Sequence, residues 1–205
     1  MTYRLKLAVV ACTIAPLVAC SSGPSAPDDS VYLEGLAAAR TDKDTYLLEA
    51  PDSPVPPDKR DVLLPLPYYP VDPGYAVPAS LRLADDRPVF EMPTSTGAIR
   101  KMQLVGVLEF SLLGESRSLG AFVPEGTQRI TRLFVPFADL TTGDSTYSAG
   151  RYLDIDTTTT GYYTIDFNQA YNPYCAYNET YECPYPPPPN RLNAAVLAGE
   201  QAPGG

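Results

Sequence analysis

The stretch from 147 to 191 gathers side chains that could do chemistry. Arg151, Asp154, Asp166, Asn168, Asn172, Asn190 and Arg191 are interleaved there with Tyr147, Tyr152, Tyr171, Tyr174 and Tyr177. An arginine fork orients a carboxylate or another anion. A tyrosine offers an apolar ring with a polar tip. Arg151, Asp154, Asp166, Asn168, Tyr171, Asn172, Asn190 and Arg191 are therefore the candidate binding set, a tyrosine-lined site with a few convergent polar groups. The same residues admit a purely structural reading. In it Arg151 or Arg191 pairs with Asp166 or Asp154, and the asparagines satisfy an irregular backbone. A third reading makes Asp154 and Asp166 the acid and base of a hydrolase, which requires a fixed separation and one raised carboxyl pKa.

What is missing narrows the chemistry. The chain contains no histidine, which excludes Ser-His-Asp catalysis and removes the commonest metal ligand. The hydroxyl run Thr157 to Thr160 has turn composition and no base to activate it. Cys175 and Cys183 do not complete a four-ligand zinc site. Neither a metal nor a cofactor is expected. Two readings stay open for this cysteine pair. Outside the cytoplasm a disulfide is the expectation, and closing so short a loop contributes roughly 2.5 kcal/mol. The alternative is a reactive thiol pair, although no basic residue flanks either cysteine to favour the thiolate.

The compartment follows from the leader. Arg4 and Lys6 precede an uncharged run from Leu7 to Ala19, which ends in Leu17-Val18-Ala19-Cys20. A basic start, a short apolar core and a small residue before a cysteine form the bacterial lipoprotein cleavage pattern. The run is shorter than the about 20 residues a membrane span needs, and it contains Pro16. Residues 1–19 are thus expected to be a signal peptide, and Cys20 to carry acyl chains such as palmitate. Each buried CH2 contributes about 0.8 kcal/mol to anchoring. Residues 20–29, small and polar, would be the tether. The expected partner is a membrane, held through Cys20 on the extracytoplasmic side of the cell envelope. Loss of Arg4 and Lys6 takes the formal net charge from −9 to −11. That opposes binding to nucleic acid, which needs clustered cations.

The elements that must position these groups are mostly strands. Asp29 to Arg40 has the helical spacing Leu33, Leu36, Ala37, Arg40. Prolines from Pro51 to Pro78 predict an extended surface segment. Short strands are predicted around Leu81–Leu83 and Val89-Phe90, and a longer one over Lys101–Leu112 with Met102, Leu104, Gly106, Leu108 and Phe110 on one face. Gly106 marks a bulge or a close backbone approach. A turn at Leu113 to Ser116 leads to Leu119–Val123. Ile130–Phe137, Arg151–Ile155 and Tyr162–Phe167 complete the set. Residues 139–148 and Thr157–Gly161 are turns. Residues 168–191 should run across the domain as a proline- and tyrosine-rich strap. The fold class expected is mainly β: an antiparallel barrel or sandwich with a short N-terminal helix and that C-terminal strap. Residues 30–200 would form one domain and 201–205 a mobile tail.

Several words in the C-terminal half carry a family resemblance. They are Phe134-Val135-Pro136-Phe137-Ala138-Asp139, Gly150-Arg151-Tyr152-Leu153-Asp154, Asp166-Phe167-Asn168, Ala170-Tyr171-Asn172-Pro173, Cys175-Ala176-Tyr177, Asn190-Arg191-Leu192 and Ala198-Gly199-Glu200. Together they resemble the domain-of-unknown-function 1684 family, with weaker likeness back to Lys43. The resemblance implies a domain without an assigned activity. The tyrosine and proline density of residues 147–191 beside a lipid address makes the leading expectation a non-enzymatic envelope lipoprotein that binds a small molecule or a partner. A hydrolase using Asp154 and Asp166, or a purely structural envelope component, are the alternatives.

Overall fold

The computed structural model describes residues 29–204. The leader, Cys20 and residues 21–28 of the tether lie outside the described residues.

Helix α1 runs from Ser30 to Glu49, nine residues beyond the expected end at Arg40. The sequence from Thr41 to Thr45 has no apolar period, so the pattern stops there. The backbone continues because Leu47 buries completely alongside Leu36. Pro51 then forces an exit, since the residue before a proline is driven to extended backbone, and Ala50 is extended at ψ 139°. The expected apolar face is only partly used: Leu33 is left 40% exposed. The proline-rich segment that follows is not uniformly extended. It contains a 3-10 turn at Pro57–Lys59 and a single helical turn, α2, at Arg60–Leu63. Its course is pinned by Leu66 N–H donating to Asp44 Oδ1 at 3.1 Å and Tyr69 N–H to Gly199 O at 2.9 Å.

Seven antiparallel strands follow: β1 (Ala76–Leu83), β2 (Val89–Pro93), β3 (Ile99–Leu112), β4 (Glu115–Pro124), β5 (Arg132–Phe137), β6 (Arg151–Asp156) and β7 (Tyr162–Asp166). Their order is β6-β5-β4-β3-β1-β7, with β2 added to the first half of β3. No ladder joins β6 to β7 among the described residues, so the sheet curls into a nearly closed barrel with one seam. Pro78 is tolerated inside β1 because β3 begins to pair only at Ala79, and the missing N–H costs no rung there.

Gly106 does mark a bulge. The β3–β4 register shifts between Leu104 and Gly106, and a Cβ on Gly106 would lie 2.5 Å from Arg82 O. The extra residue is Val105, and it reverses the expected facing. Before it, Met102 packs with Met92 and Phe122 in a cluster under β2. After it, Leu108, Phe110 and Leu112 join Val105 in the barrel core. The hairpin turns tightly at Leu113 and Gly114, whose φ values of 53° and 79° are both positive. Such a two-residue turn matches the strand twist.

The strap lies as expected across the outside, broken by 3-10 turns at Phe167–Gln169, Tyr174–Ala176 and Pro188–Asn190. The tail, expected to be mobile from residue 201, is fixed at its start. Gln201 N–H donates to Pro67 O at 2.9 Å and Ala202 N–H to Ser145 O at 3.1 Å.

Candidate ligand-binding cleft

Alternation along β6 divides its side chains between two environments. Leu153 and Ile155 enter the barrel core, while Tyr152 and Asp154 face outward toward the strap. The strap closes on β6 through one rung: Tyr152 N–H donates to Tyr171 O at 2.9 Å, and Tyr171 N–H to Tyr152 O at 3.0 Å. This rung, the outer faces of β3, β5 and β6, and the second half of α1 enclose a cavity of about 660 Å³. Its walls are Lys43, Tyr46 and Leu47 from α1, Arg100, Met102, Phe134, Tyr152 and Asp154 from the sheet, and Tyr171, Tyr174 and Tyr181 to Pro184 from the strap.

The rings meet nearly at right angles. Phe134 and Tyr152 have centroids 4.7 Å apart at 76°, Tyr152 and Tyr171 5.8 Å apart at 89°, and Tyr174 and Tyr181 5.3 Å apart at 79°. Edge-to-face geometry of this kind fixes ring orientation. Tyr152 is pinned further, its hydroxyl donating to Pro184 O at 2.6 Å. Tyr171 donates to Asp154 Oδ2 at 2.9 Å. Burial pushes both phenols well above the ordinary tyrosine range, and the Asp154 charge adds to the effect on Tyr171. Both are neutral hydrogen-bond donors at physiological pH. Arg100 is tied to Glu182 at 3.0 Å and Lys43 to Glu200.

Of the eight candidate residues, Asp154 and Tyr171 come together here. Arg151 does not. It is 1% exposed and donates to Asp139 Oδ2 at 2.7 Å, to Val196 O at 2.9 Å, to Glu200 O at 3.2 Å and to Ala198 O. Its partner is neither Asp154 nor Asp166 but Asp139, which sequence reading assigned to a turn. Arg191 is exposed on a separate shallow groove with Glu109 and Arg117. The three asparagines serve the backbone. Asn168 brackets Asp72, accepting from its N–H at 3.0 Å and donating to its carbonyl at 2.8 Å. Asn172 donates to Gln201 O at 2.7 Å. Asn190 spans β4 and β5.

Asp154 and Asp166 both border a second cavity, of about 470 Å³, along the seam between β6 and β7. Asp166 is committed there to neutral donors: Tyr32 hydroxyl at 3.0 Å, Asn168 N–H at 3.0 Å and Gln169 Nε2 at 2.8 Å. Its lone pairs hold the N-terminus of α1 and the turn after β7, which leaves little for proton transfer.

The disulfide expected between Cys175 and Cys183 is not present: both are free, buried thiols. Cys175 N–H donates to Cys183 Sγ at 3.1 Å. Hydrogen bonding from the Cys183 thiol, with help from Tyr147 and Ser95, pulls Cys175 down to about 7, against the opposing effect of burial. Cys183 moves up as the proton-holding partner. Cys183 also lies on the cleft wall. Among the described residues no cluster of three or more metal-binding side chains occurs, and no helix is long and apolar enough to cross a membrane.

Sequence reading missed Lys43, Tyr46, Arg100, Phe134 and Glu182. Phe134 and the tyrosines were visible as aromatic density. Lys43 and Arg100 carried no local signal, because they reach the cleft only through the docking of α1 and the length of β3.

Residues 64–201 match the family model described as a protein of unknown function (DUF1684). The chain is also similar to an uncharacterised protein of Haloarcula marismortui solved by solution NMR. The two share 39% identity over 83% of this chain and 94% of that one, with a TM-score of 0.66. No curated protein matches the chain.

Proposed function

We propose, for a chain that belongs to the DUF1684 family of proteins of unknown function, that the aromatic cleft binds a small molecule and that the domain performs no catalysis of its own. The observation that carries this is the 660 Å³ cavity walled by six aromatic side chains and rimmed by Lys43, Arg100, Asp154 and Glu182. An apolar body stacks on the rings, and the few charged groups orient it. The rings are held by one another, by the β6 rung and by Pro184, so little ordering accompanies binding.

A metabolite screen by thermal shift on the full chain tests this. At a ligand concentration a hundredfold above Kd, binding contributes about 2.7 kcal/mol. For a domain of this size that raises Tm by about 5–10 °C. Tyr174→Ala, on the cleft rim at 43% exposure, should remove most of the shift. The absence of any hit, or hits indifferent to that substitution, would overturn the reading.

The setting we propose is the outer face of a membrane, with Cys20 as a lipid anchor. The support is the order of basic, apolar and small residues before Cys20. Intact mass of the native protein should correspond to a chain beginning at Cys20 with acyl chains attached. Recovery of the unprocessed chain, Met1 to Gly205 without lipid, would sink the anchor.

A further inference from the structure

One cation already sits over one ring of the cleft. Lys43 Nζ lies 5.3 Å over the face of Tyr171, while Glu200 matches its charge. Electron-rich ring faces attract ammonium groups, and sites made of several rings recognise quaternary ammonium ligands. Tyr152 stands at 76° to Phe134 and at 89° to Tyr171. Rings so disposed present faces and edges in several directions around one space.

The charges of the cleft sort in the same direction. Arg100 is tied to Glu182 and Lys43 to Glu200. The nearby Arg132 is tied to Asp156 at 2.9 Å. Asp154 accepts from a neutral phenol, the Tyr171 hydroxyl, and forms no ion pair among the described residues; Arg132, paired with Asp156, feels its charge only from beyond contact. It is the carboxylate on the cleft wall whose charge no contacting cation matches.

We infer that the cleft takes an organic cation, a compact ammonium group with apolar substituents, seated among Phe134, Tyr152, Tyr171 and Tyr174 with Asp154 beside it. This rests on the reading of the cleft as a small-molecule site and adds the sign of the ligand's charge. An apolar ammonium loses little hydration on entering, gains the ring faces, and meets the carboxylate at the rim.

The experiment is titration calorimetry of the full chain with choline and with its neutral isostere, 3,3-dimethylbutan-1-ol. Choline should bind about tenfold more tightly. Asp154→Asn should weaken choline about fivefold and weaken the neutral alcohol distinctly less. Asp154 is exposed, so its substitution leaves the fold intact, and Tyr174→Leu at the rim gives an independent loss. Equal affinity for choline and the alcohol would overturn the charge preference while leaving a small-molecule site in place. No binding of choline or tetramethylammonium, alongside a screened metabolite that does bind the cleft, would overturn it too. Silence from all of them, screen included, would bring down the underlying reading as well.

Discussion

Arg151→Met should lower the unfolding free energy by about 3–5 kcal/mol, the cost of breaking a buried ion pair from one side. The Arg151 and Asp139 side chains are 1% and 0% exposed, and they meet at 2.7 Å. Methionine leaves the Asp139 carboxylate buried without its cation. The Thr141 N–H and hydroxyl remain its donors. It also orphans the carbonyls of Val196, Ala198 and Glu200, which Arg151 gathers from the C-terminal segment. That segment contributes Leu192, Val196 and Ala198 to the barrel core. The loss should therefore be local as well as global: amides from 192 to 202 should lose hydrogen-exchange protection before the β3–β4 hairpin does. Urea unfolding gives the first quantity and exchange the second. Adding Asp139→Leu to Arg151→Met should recover part of the loss, because the stranded charge goes with it. A loss below about 1 kcal/mol in the single variant would mean that the pair contributes little.

The pair also shows where sequence reading stops. The block around Gly150 to Asp154 stood out because its residue types suit a site. Arg151 was buried instead as the clasp that binds β6 to the end of the chain. Alternation along β6 sets Leu153 opposite Tyr152 and Asp154. It could not say that Arg151, on the inner side, lies at the barrel's end where carbonyls of 196, 198 and 200 converge. Partners 45 to 49 residues away leave no local period. The strands themselves were legible, since most bury one face. Their antiparallel arrangement followed from short turns and the lack of crossover helices.

The facing of β3 failed for one physical reason. A single inserted residue, Val105, reverses every side chain on one side of it. Gly106 announced the bulge without giving its effect. The helix failed at its polar second half, where tertiary burial of Leu47 overrides the absence of a local pattern. That failure hid Lys43 and Tyr46, and with them one wall of the cleft. The cysteines were read through the compartment. In the fold they are thiols, arranged so that Cys175 N–H meets Cys183 Sγ.

Asn190 is the second position where a large loss is expected, and for a reason that only the sheet reveals. The β4–β5 ladder consists of a single pair, Phe122 with Phe134. Beyond it the strands splay, and Pro136 has no N–H to offer. The Asn190 side chain fills the gap, accepting from Gly120 N–H at 2.7 Å and donating to Gly120 O at 2.9 Å and to Pro136 O at 2.7 Å. It is a strap residue, 0% exposed, standing in for ladder bonds that the strands cannot make. Gly120 permits the approach, since a Cβ there would come within 3.1 Å of Asn190 Oδ1. Asn190→Leu keeps the approximate size and removes all three bonds. Each buried group left unpaired costs about 1–3 kcal/mol, so a loss of about 3 kcal/mol or more is expected.

Asn190→Asp separates hydrogen bonding from packing. Its carboxylate still accepts from Gly120 N–H but faces two carbonyls, so the ionised form is disfavoured in the fold. The folded carboxyl would then titrate above its unfolded value of about 3.9. Above that value the native state holds the extra proton, so stability falls as pH rises and is greatest in acid. Chemical denaturation across pH 3 to 7 should show Asn190→Asp losing stability relative to the parent as the pH increases, while Asn190→Leu stays at a constant offset. Parallel curves for both variants would mean that Asn190 acts by its volume, and the β4–β5 gap would then be closed by the strap's packing alone.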